Sequence, residues 1–213
     1  MLFTARLWKM SKALHREMLE HPFNTELASG KLDLEKFKVY LQQDEIYIES
    51  YTKALFQLAN KAPSQEAKNI LSTFADEGFL IEKELHDNFF RKFKIKPSEK
   101  VLPACHDYSN FLENVTFLSP YPMGLAALLP CFWMYREVGI HLNNITVKNN
   151  PYQAWLDTYT GDEFTEQVRQ MLQLVESASQ HSNYYMRDDM KTMYMQSCRM
   201  ELRFWDECYN SSQ

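Results

Sequence analysis

A hydrophobic stripe that follows helical spacing between residues 34 and 58 constrains the fold more than any other feature of the sequence. Within LEKFKVYLQQDEIYIESYTKALFQL, side chains three and four residues apart fall on one face of an α-helix. The residues on that face are Leu34, Phe37, Leu41, Asp44, Ile48, Tyr51, Leu55 and Leu58. No segment shows the alternation of apolar and polar residues that is typical of strands, and only 5 glycines occur in 213 residues. The sequence therefore predicts an all-α fold.

Prolines, glycines and polar clusters divide the chain into seven or eight predicted helices. The predicted breaks lie at residues 21–23, 27–34, 62–64, 94–103, 119–122, 148–151 and 158–164. Asp33 and Ser64 stand directly before long helical patterns and are predicted N-caps. Short connections between long amphipathic helices favour antiparallel packing in a bundle. Because a chain of 213 residues can bury one core, we expect a single domain over residues 1–213.

The composition gives no electrostatic reason to expect a nucleic acid or an anionic membrane as a partner. Lysine and arginine number 23 against 28 aspartates and glutamates, which gives a net charge of -5. Residues 1–18 lack the apolar run of a signal peptide, and the longest apolar run, residues 123–134, is too short to cross a bilayer. The 4 cysteines lack metal-ligand spacing and predict free thiols in a reducing compartment. We therefore expect a cytoplasmic protein.

Two carboxylates interrupt apolar helix faces. Asp44 is the only charged residue on the stripe described above, and Glu201 interrupts an apolar face of the last predicted helix. An ionised carboxylate in a core is costly unless it is paired or hydrogen-bonded. Asp44 therefore faces a polar cavity, is neutral, or pairs with a structural partner such as a tyrosine hydroxyl or an arginine. Two acids in an aromatic core would suit binding and protonating a flat molecule that carries nitrogen.

Cys131 directly follows Pro130 within the apolar run ALLPCFWMYREVG. Proline removes a backbone donor, so the helix is expected to kink or to begin there, and a kink would deprive the Ala126 carbonyl of its usual partner. Tyr135 lies four residues further on and shares the Cys131 face. A lone cysteine among apolar residues is usually packing material. A nucleophile would need neighbours that favour the thiolate, and no adjacent histidine offers this, so both interpretations stay open.

Four tyrosines lie in or beside the interrupted segments: Tyr47, Tyr108, Tyr135 and Tyr159. Most aromatic side chains in a chain like this are expected to pack in the core. A flat heterocycle would nonetheless stack well between such rings, with their hydroxyl groups near its nitrogens. The tyrosines therefore fit the same kind of ligand as the two acids.

An all-α bundle with internal acids also raises the question of a dinuclear metal site. The ferritin-like site requires two Glu-x-x-His motifs, and none of the 6 histidines follows an acid at that spacing. His86 and His141 follow Glu82 and Glu137 by four residues, a spacing that more often indicates surface pairs. The sequence therefore predicts no metal.

Taken in order, seven segments of the chain resemble the TenA, or thiaminase II, family. They are HPF, FKVYLQQDEIY, ELHDNF, PACHDYSNFL, LAALLPCFWMYREVG, NPYQAWLDTYTGDEF and ELRFWD, and they run from about His21 to Asp206. The resemblance implies a haem-oxygenase-like helical bundle without haem, assembled as a homotetramer and needing no cofactor. It also implies hydrolysis of 4-amino-5-aminomethyl-2-methylpyrimidine to the 5-hydroxymethyl pyrimidine with release of ammonia, and slower cleavage of thiamin, in thiamin salvage.

The resemblance also implies roles for individual residues. Cys131 matches the nucleophile, Glu201 the acid that moves protons, and Asp44 the carboxylate that binds the ring's amino group and adjacent nitrogen. Among the tyrosines, Tyr47 and Tyr135 match positions that flank the ring, whereas Tyr108 and Tyr159 match hydroxyls that orient substrate and thiol. The competing interpretation is a binding module that carries a pyrimidine, a haem-like ligand or a regulatory partner without turnover.

Overall fold

A computed structural model describes residues 1–211, and over that range the chain forms nine α-helices and no strands. The helices are α1 Phe3–Glu20, α2 Pro22–Ala28, α3 Leu34–Ala59, α4 Gln65–Phe93, α5 Pro103–Leu118, α6 Tyr121–Ile145, α7 Gln153–Thr160, α8 Asp162–Gln180 and α9 Tyr184–Asn210. The all-α prediction is confirmed. Within the described range, no helix is long and apolar enough to cross a membrane.

The count of nine helices exceeds the predicted seven or eight because of a break at residues 181–183. Each predicted break is present, but this additional one separates α8 from α9. The Asn183 side chain accepts a hydrogen bond from the Met186 amide at 2.9 Å and so caps α9. An asparagine in a polar stretch is the expected signal for such a cap. The helical patterns on both sides of residues 181–183, His-Ser-Asn, concealed this break in the sequence.

The first residues of the helices show how the local sequence determines where a helix begins. Asp33 accepts the Glu35 amide at 2.8 Å and Ser64 accepts the Ala67 amide at 3.2 Å, so both predicted N-caps are confirmed. Helix α1 has no side-chain cap on the residue that precedes it. Its first amides, those of Phe3 and Thr4, instead donate to the Glu176 carboxylate of α8.

The helices share one hydrophobic core. Helix α3 packs against α4, α5 and α9, while α6 packs against α7, α8 and α9. One cluster of buried hydrophobic residues takes side chains from all nine helices of the described range. The α3 stripe faces this core as predicted, with Ile48 and Leu34 only partly buried. The single domain over 1–213 stays a prediction, and residues 212–213 lie outside the described range.

Helix α6 runs without interruption through Pro130, so it does not begin there. Proline cannot donate to the carbonyl four residues before it, which weakens the helix at that turn. Hydroxyl groups from other helices bond the next two carbonyls. Ser197 Oγ of α9 donates to the Ala127 oxygen at 2.6 Å, and the Tyr51 hydroxyl of α3 donates to the Leu128 oxygen at 2.8 Å. These bonds hold the turn that immediately precedes the cysteine.

Candidate active site

A cavity of about 390 Å³ lies between α3, α4, α6, α7 and α8. Five of the seven residues selected from the sequence line it: Asp44, Tyr47, Cys131, Tyr135 and Tyr159. A cavity of this size lies within the range that binds small molecules in proteins. The structure therefore brings together residues that are far apart in the chain.

Helical spacing explains why these side chains meet. Asp44, Tyr47 and Tyr51 are three and four residues apart on α3 and so share the face that turns toward the cavity. Cys131 and Tyr135 are one turn apart on α6 and share a face in the same way. The predicted pairing of Cys131 with Tyr135 on one face is consistent with this arrangement.

The remaining two selected residues, Tyr108 and Glu201, lie behind the cavity rather than on its lining, as far as residues 1–211 are concerned. The Tyr108 hydroxyl donates to Glu201 Oε1 at 2.8 Å and lies 2.9 Å from Ser197 Oγ. The ring of Tyr108 packs against the ring of Tyr47, with centroids 5.0 Å apart. Tyr47 therefore separates the Glu201 layer from the cavity.

Burial determines the protonation of Glu201. The residue is 2 % exposed, and burial raises the pKa of its carboxyl to about 8, a shift that the Tyr108 hydrogen bond opposes and the Asp44 charge increases. At neutral pH the Glu201 carboxyl therefore carries a proton. It can act as an acid in that state and as a base once a proton has left.

Cys131 is a neutral thiol in this environment. Burial raises the pKa of the thiol well above its ordinary value, and the nearby Glu201 carboxylate raises that pKa further. The Tyr47 side chain opposes this rise in pKa but does not reverse it, so the resting thiol keeps its proton. A nucleophilic Cys131 must lose its proton as it attacks.

Sequence reasoning missed two residues of this site, Glu82 and His86. Their four-residue spacing on α4 predicted a surface pair, and that prediction is wrong, because both side chains turn inward. His86 is 2 % exposed, and its Nε2 lies 3.0 Å from Asp44 Oδ2 and 4.0 Å from Glu82 Oε2. The spacing alone does not reveal which face of α4 meets the core. Glu137 and His141, the other such pair, do lie at the partly or fully exposed surface.

The partner of Asp44 is thus a histidine, rather than the tyrosine or arginine considered from the sequence. Burial lowers the pKa of His86, but the hydrogen bond and charge of Asp44 outweigh that effect and raise it overall. A raised pKa favours the imidazolium form of His86. The Asp44 carboxylate therefore lines the cavity while the His86 imidazole bonds to it.

Glu82 also lines the cavity and is held differently. Burial, followed by the charge of Asp44, raises the pKa of Glu82 to about 7. The Tyr159 hydroxyl donates to Glu82 Oε1 at 2.9 Å. Within residues 1–211, Glu82 Oε2 and the Tyr47 hydroxyl are buried without a hydrogen-bond partner. Both groups are available to a bound molecule.

Asp44, Glu82 and His86 form what we call the acid–histidine cluster. Each contributes one possible ligand atom, and these atoms lie within 4.8 Å of one another. Two carboxylates and an imidazole are a donor set that can hold a divalent cation such as zinc. The Glu-x-x-His motif does not describe this cluster, because Asp44 comes from α3 whereas Glu82 and His86 come from α4. Two of the three residues, His86 and Asp44, are also hydrogen-bonded directly to each other.

The arrangement combines aromatic surfaces with acceptors at one end and a thiol among the lining residues. Aromatic rings bind flat molecules over their faces, and carboxylates accept hydrogen bonds from amino groups and ring N–H groups. The cavity therefore suits a small nitrogen heterocycle, with the Cys131 sulfur available for attack on it.

Comparison with known proteins finds relatives along nearly the whole chain. A family model described as TENA/THI-4/PQQC family matches residues 8–211. An aminopyrimidine aminohydrolase of Bacillus subtilis is 29 % identical over 193 residues, covering 89 % of this chain and 82 % of that protein. The thiamine biosynthesis multifunctional protein ThiED of Corynebacterium glutamicum is 30 % identical over 205 residues, which cover 96 % of this chain. The chain spans only 26 % of that protein's length.

Solved structures give the same result for the fold. A TenA homologue from P. horikoshii OT3 superposes with a TM-score of 0.89 at 25 % identity, covering 98 % of this chain and 99 % of that one. A TenA homologue from Pyrococcus furiosus superposes with a TM-score of 0.88 at 21 % identity, covering 97 % of this chain and 100 % of that one. The bundle is therefore of the same fold as these homologues.

Proposed function

The chain belongs to the TENA/THI-4/PQQC family, and from this premise we propose that it is an aminopyrimidine aminohydrolase of the thiaminase II type. Its reaction is hydrolysis of 4-amino-5-aminomethyl-2-methylpyrimidine to the 5-hydroxymethyl pyrimidine, with slower cleavage of thiamin into pyrimidine and thiazole. The observation that carries the proposal is that Cys131 and Asp44 open on one cavity together with Tyr47 and Tyr135. The name of the B. subtilis relative supports the same substrate class.

The binding pose follows from the chemistry of the lining. The pyrimidine ring lies between Tyr47 and Tyr135. Its amino group donates to the Asp44 carboxylate, and the adjacent ring nitrogen donates to the same carboxylate in its protonated form. His86 holds that carboxylate from behind at 3.0 Å, which fixes the direction in which it accepts hydrogen bonds. Because a positioned substrate reacts in an essentially unimolecular step, this placement contributes to the rate as well as to affinity.

The covalent step uses Cys131 as nucleophile. Sulfur bonds to an electrophilic ring carbon, and the thiol proton passes to a ring nitrogen, so the ring loses its aromaticity. The electron pair of that nitrogen then expels the group on the 5-methylene as neutral ammonia or thiazole. Water adds to the methylene, and the proton it loses passes to the released ammonia or to solvent. The carbon–sulfur bond breaks, sulfur recovers its proton from the ring nitrogen, and the aromatic ring returns.

Proton movement is the role we assign to Glu201, acting from behind the cavity through Tyr108 and Tyr47. Its carboxyl is protonated at neutral pH, since its pKa is about 8, and it can give a proton toward the ring and take one from sulfur. Tyr108 bonds it at 2.8 Å. The unpartnered Tyr47 hydroxyl lies between this pair and the cavity.

Release of ammonia separates this enzyme from a module that binds a pyrimidine without turnover. Purified protein incubated with the aminomethyl pyrimidine should release one ammonia for each hydroxymethyl pyrimidine formed. Protein carrying Cys131→Ser is the control for contaminating activity. Stoichiometric binding without ammonia release would overturn the proposal in favour of the binding module.

We also propose, from the family resemblance, that the chain assembles as a homotetramer in the cytoplasm and acts without a cofactor. Light scattering of the purified protein should then give a mass about four times that of the 25.3 kDa chain. A mass equal to that of one chain would contradict the tetramer and would leave the catalytic proposal unaffected, because every lining residue named above comes from a single chain.

A further inference from the structure

We propose that Glu82 recognises the positive charge carried by the substrate's 5-methylene substituent, and that the cavity thereby selects cationic over neutral pyrimidines. This inference rests on the proposed function and assigns to Glu82 a part that the cysteine, Asp44 and Glu201 do not take. It also names the substrate class more narrowly, as pyrimidines with a cationic nitrogen on the 5-methylene carbon.

The first observation is an acceptor without a donor. The Glu82 side chain is 14 % exposed and lines the cavity. The Tyr159 hydroxyl holds Oε1 at 2.9 Å, whereas Oε2 is buried with no hydrogen-bond partner within residues 1–211. A buried carboxylate oxygen that lacks a donor is costly, and a ligand that supplies an N–H group removes the cost. The fixed Oε1 leaves Oε2 as the oxygen that can meet a ligand.

The second observation is the distribution of charge in the acid–histidine cluster. His86 Nε2 is 3.0 Å from Asp44 Oδ2 but 4.0 Å from Glu82 Oε2, beyond hydrogen-bond range. The one cationic partner in this cluster is therefore used mainly by Asp44. For Glu82, His86 is a counter-charge only at 4.0 Å and without a hydrogen bond, so a cation that enters the cavity beside Oε2 further stabilises the ionised form of Glu82.

The third observation links the two carboxylates to adjacent atoms of the substrate. The amino group and the 5-methylene of the pyrimidine are attached to neighbouring ring carbons. An amino group bound by Asp44 therefore places the 5-substituent beside it. Ligand atoms of Asp44 and Glu82 lie within 4.8 Å of each other, which lets each carboxylate serve one of the two groups.

Charge then distinguishes substrates from product. The aminomethyl group is an ammonium at neutral pH and the thiazolium of thiamin is a permanent cation, but the hydroxymethyl product is neutral. A charge-assisted hydrogen bond is stronger than a neutral one, so Glu82 holds the ammonium more firmly than it holds the hydroxyl group of the product. The thiazolium has no N–H group, and Glu82 attracts it by charge alone. Loss of the cationic group during the reaction thus favours product release.

The test compares two ligands in a background that cannot turn over. Calorimetry with Cys131→Ser protein, at a pH above 7, measures Kd for the aminomethyl and the hydroxymethyl pyrimidines. Adding Glu82→Gln should weaken binding of the aminomethyl ligand by about ten- to a hundredfold and change that of the hydroxymethyl ligand by less than about threefold. Glu84→Gln, the same change at an exposed residue of α4, should alter neither by more than about twofold.

Three outcomes overturn the inference while leaving the enzyme in place. If the ratio of the two Kd values is the same in the Glu82→Gln protein as in its parent, Glu82 does not distinguish the ligands by their charge. An equal loss for both ligands assigns it a structural role. A change in the cation preference of the parent protein on treatment with a chelator assigns the cluster to a metal ion. Failure of the proposed function is distinct, because wild-type protein would then release no ammonia.

A second variant covers the case in which Glu82→Gln does not fold. Glu82→Asp keeps the charge but withdraws it by one methylene, and thermal unfolding shows whether the fold survives. This substitution should weaken binding of the aminomethyl ligand by about five- to tenfold and change the Kd of the hydroxymethyl ligand by less than about threefold. Equal affinity changes for the two ligands would again contradict the inference.

Discussion

His86 Nε2 lies 3.0 Å from Oδ2 of Asp44, and both side chains are buried. The contact joins α4 to the one charged residue on the core-facing stripe of α3. It explains how an acid persists on an apolar helix face, since a paired and hydrogen-bonded carboxylate is tolerated where an isolated one is not.

Replacement of His86 by glutamine should lower stability in a pH-dependent way. Glutamine keeps a donor for Asp44 but removes the positive charge. The pKa of His86 is raised above its ordinary 6.5, so its contribution is full below that value and is lost as the pH rises through the raised pKa. Urea unfolding should show a loss of about 1 kcal/mol at acidic pH that shrinks toward alkaline pH.

The same variant tests whether His86 positions Asp44 for binding. KM for the aminomethyl pyrimidine should rise several-fold more than kcat falls, because the direction of the acceptor is less well fixed. A loss of stability that stays constant over the pH range, together with unchanged KM, would show that His86 serves only as packing.

Cys131→Ser should retain the fold and pyrimidine binding while hydrolysis falls by at least about a thousandfold. The oxygen nucleophile is far weaker, and the variant removes the sulfur without opening a large void. Circular dichroism, calorimetry and ammonia release measure the three properties separately. Turnover close to that of the wild type would indicate that water attacks the substrate directly.

Glu201→Gln should reduce kcat by about 100- to 10,000-fold, the range typical of a lost general acid or base. Burial raises the pKa of the Glu201 carboxyl to about 8, so the protonated form that donates is depleted as the pH rises through that value. The wild-type enzyme should therefore lose activity above about pH 8, and the variant should lack that alkaline decline. A pH profile with the same decline in both proteins would remove the role assigned to Glu201.

The start of α1 offers a stability test away from the cavity. Glu176 of α8 accepts hydrogen bonds from the Phe3 amide at 3.1 Å and the Thr4 amide at 3.0 Å, in place of a local cap. Glu176→Ala should lower the free energy of unfolding by about 1 kcal/mol, as loss of an N-cap does. Glu17→Ala, at an exposed position of α1, is the control and should change it by less than about 0.5 kcal/mol.

The pH dependence of that effect has a defined sign. Partial burial raises the pKa of Glu176, but the hydrogen bonds from Thr4 and Phe3 outweigh it and lower the pKa overall. A carboxyl with a lowered folded pKa contributes its stability above the unfolded pKa and loses it as the pH falls through the folded one. The difference between wild type and Glu176→Ala should therefore diminish in acid. A difference that grows in acid would contradict this account.

The sequence was sufficient wherever local physics decides the structure. The period of the α3 stripe placed Asp44 on the buried face, and the side chains of Asp33 and Ser64 marked two helix starts. The family resemblance then selected Cys131, which spacing alone left ambiguous between packing and chemistry. Five of the seven selected residues meet at the cavity for this reason.

The rest depended on which faces meet across the bundle. A four-residue spacing between Glu82 and His86 is the same on a buried face as on an exposed one, so only the packing of α4 on α3 reveals their position. Likewise, no local pattern places Glu201 one layer behind the cavity with Tyr108 between. How far a side chain lies from the cavity depends on how the helices pack together.

Pro130 has a consequence for when the reactive centre comes into existence. The backbone turn before Cys131 is secured by Ser197 and Tyr51, which belong to helices distant in the chain. A growing or partly unfolded polypeptide lacks both supports, so its cysteine has neither a fixed backbone turn nor a cavity beside it. Chemistry at this sulfur thus begins only after long-range assembly is complete, and loss of either hydroxyl should disturb catalysis by loosening that turn.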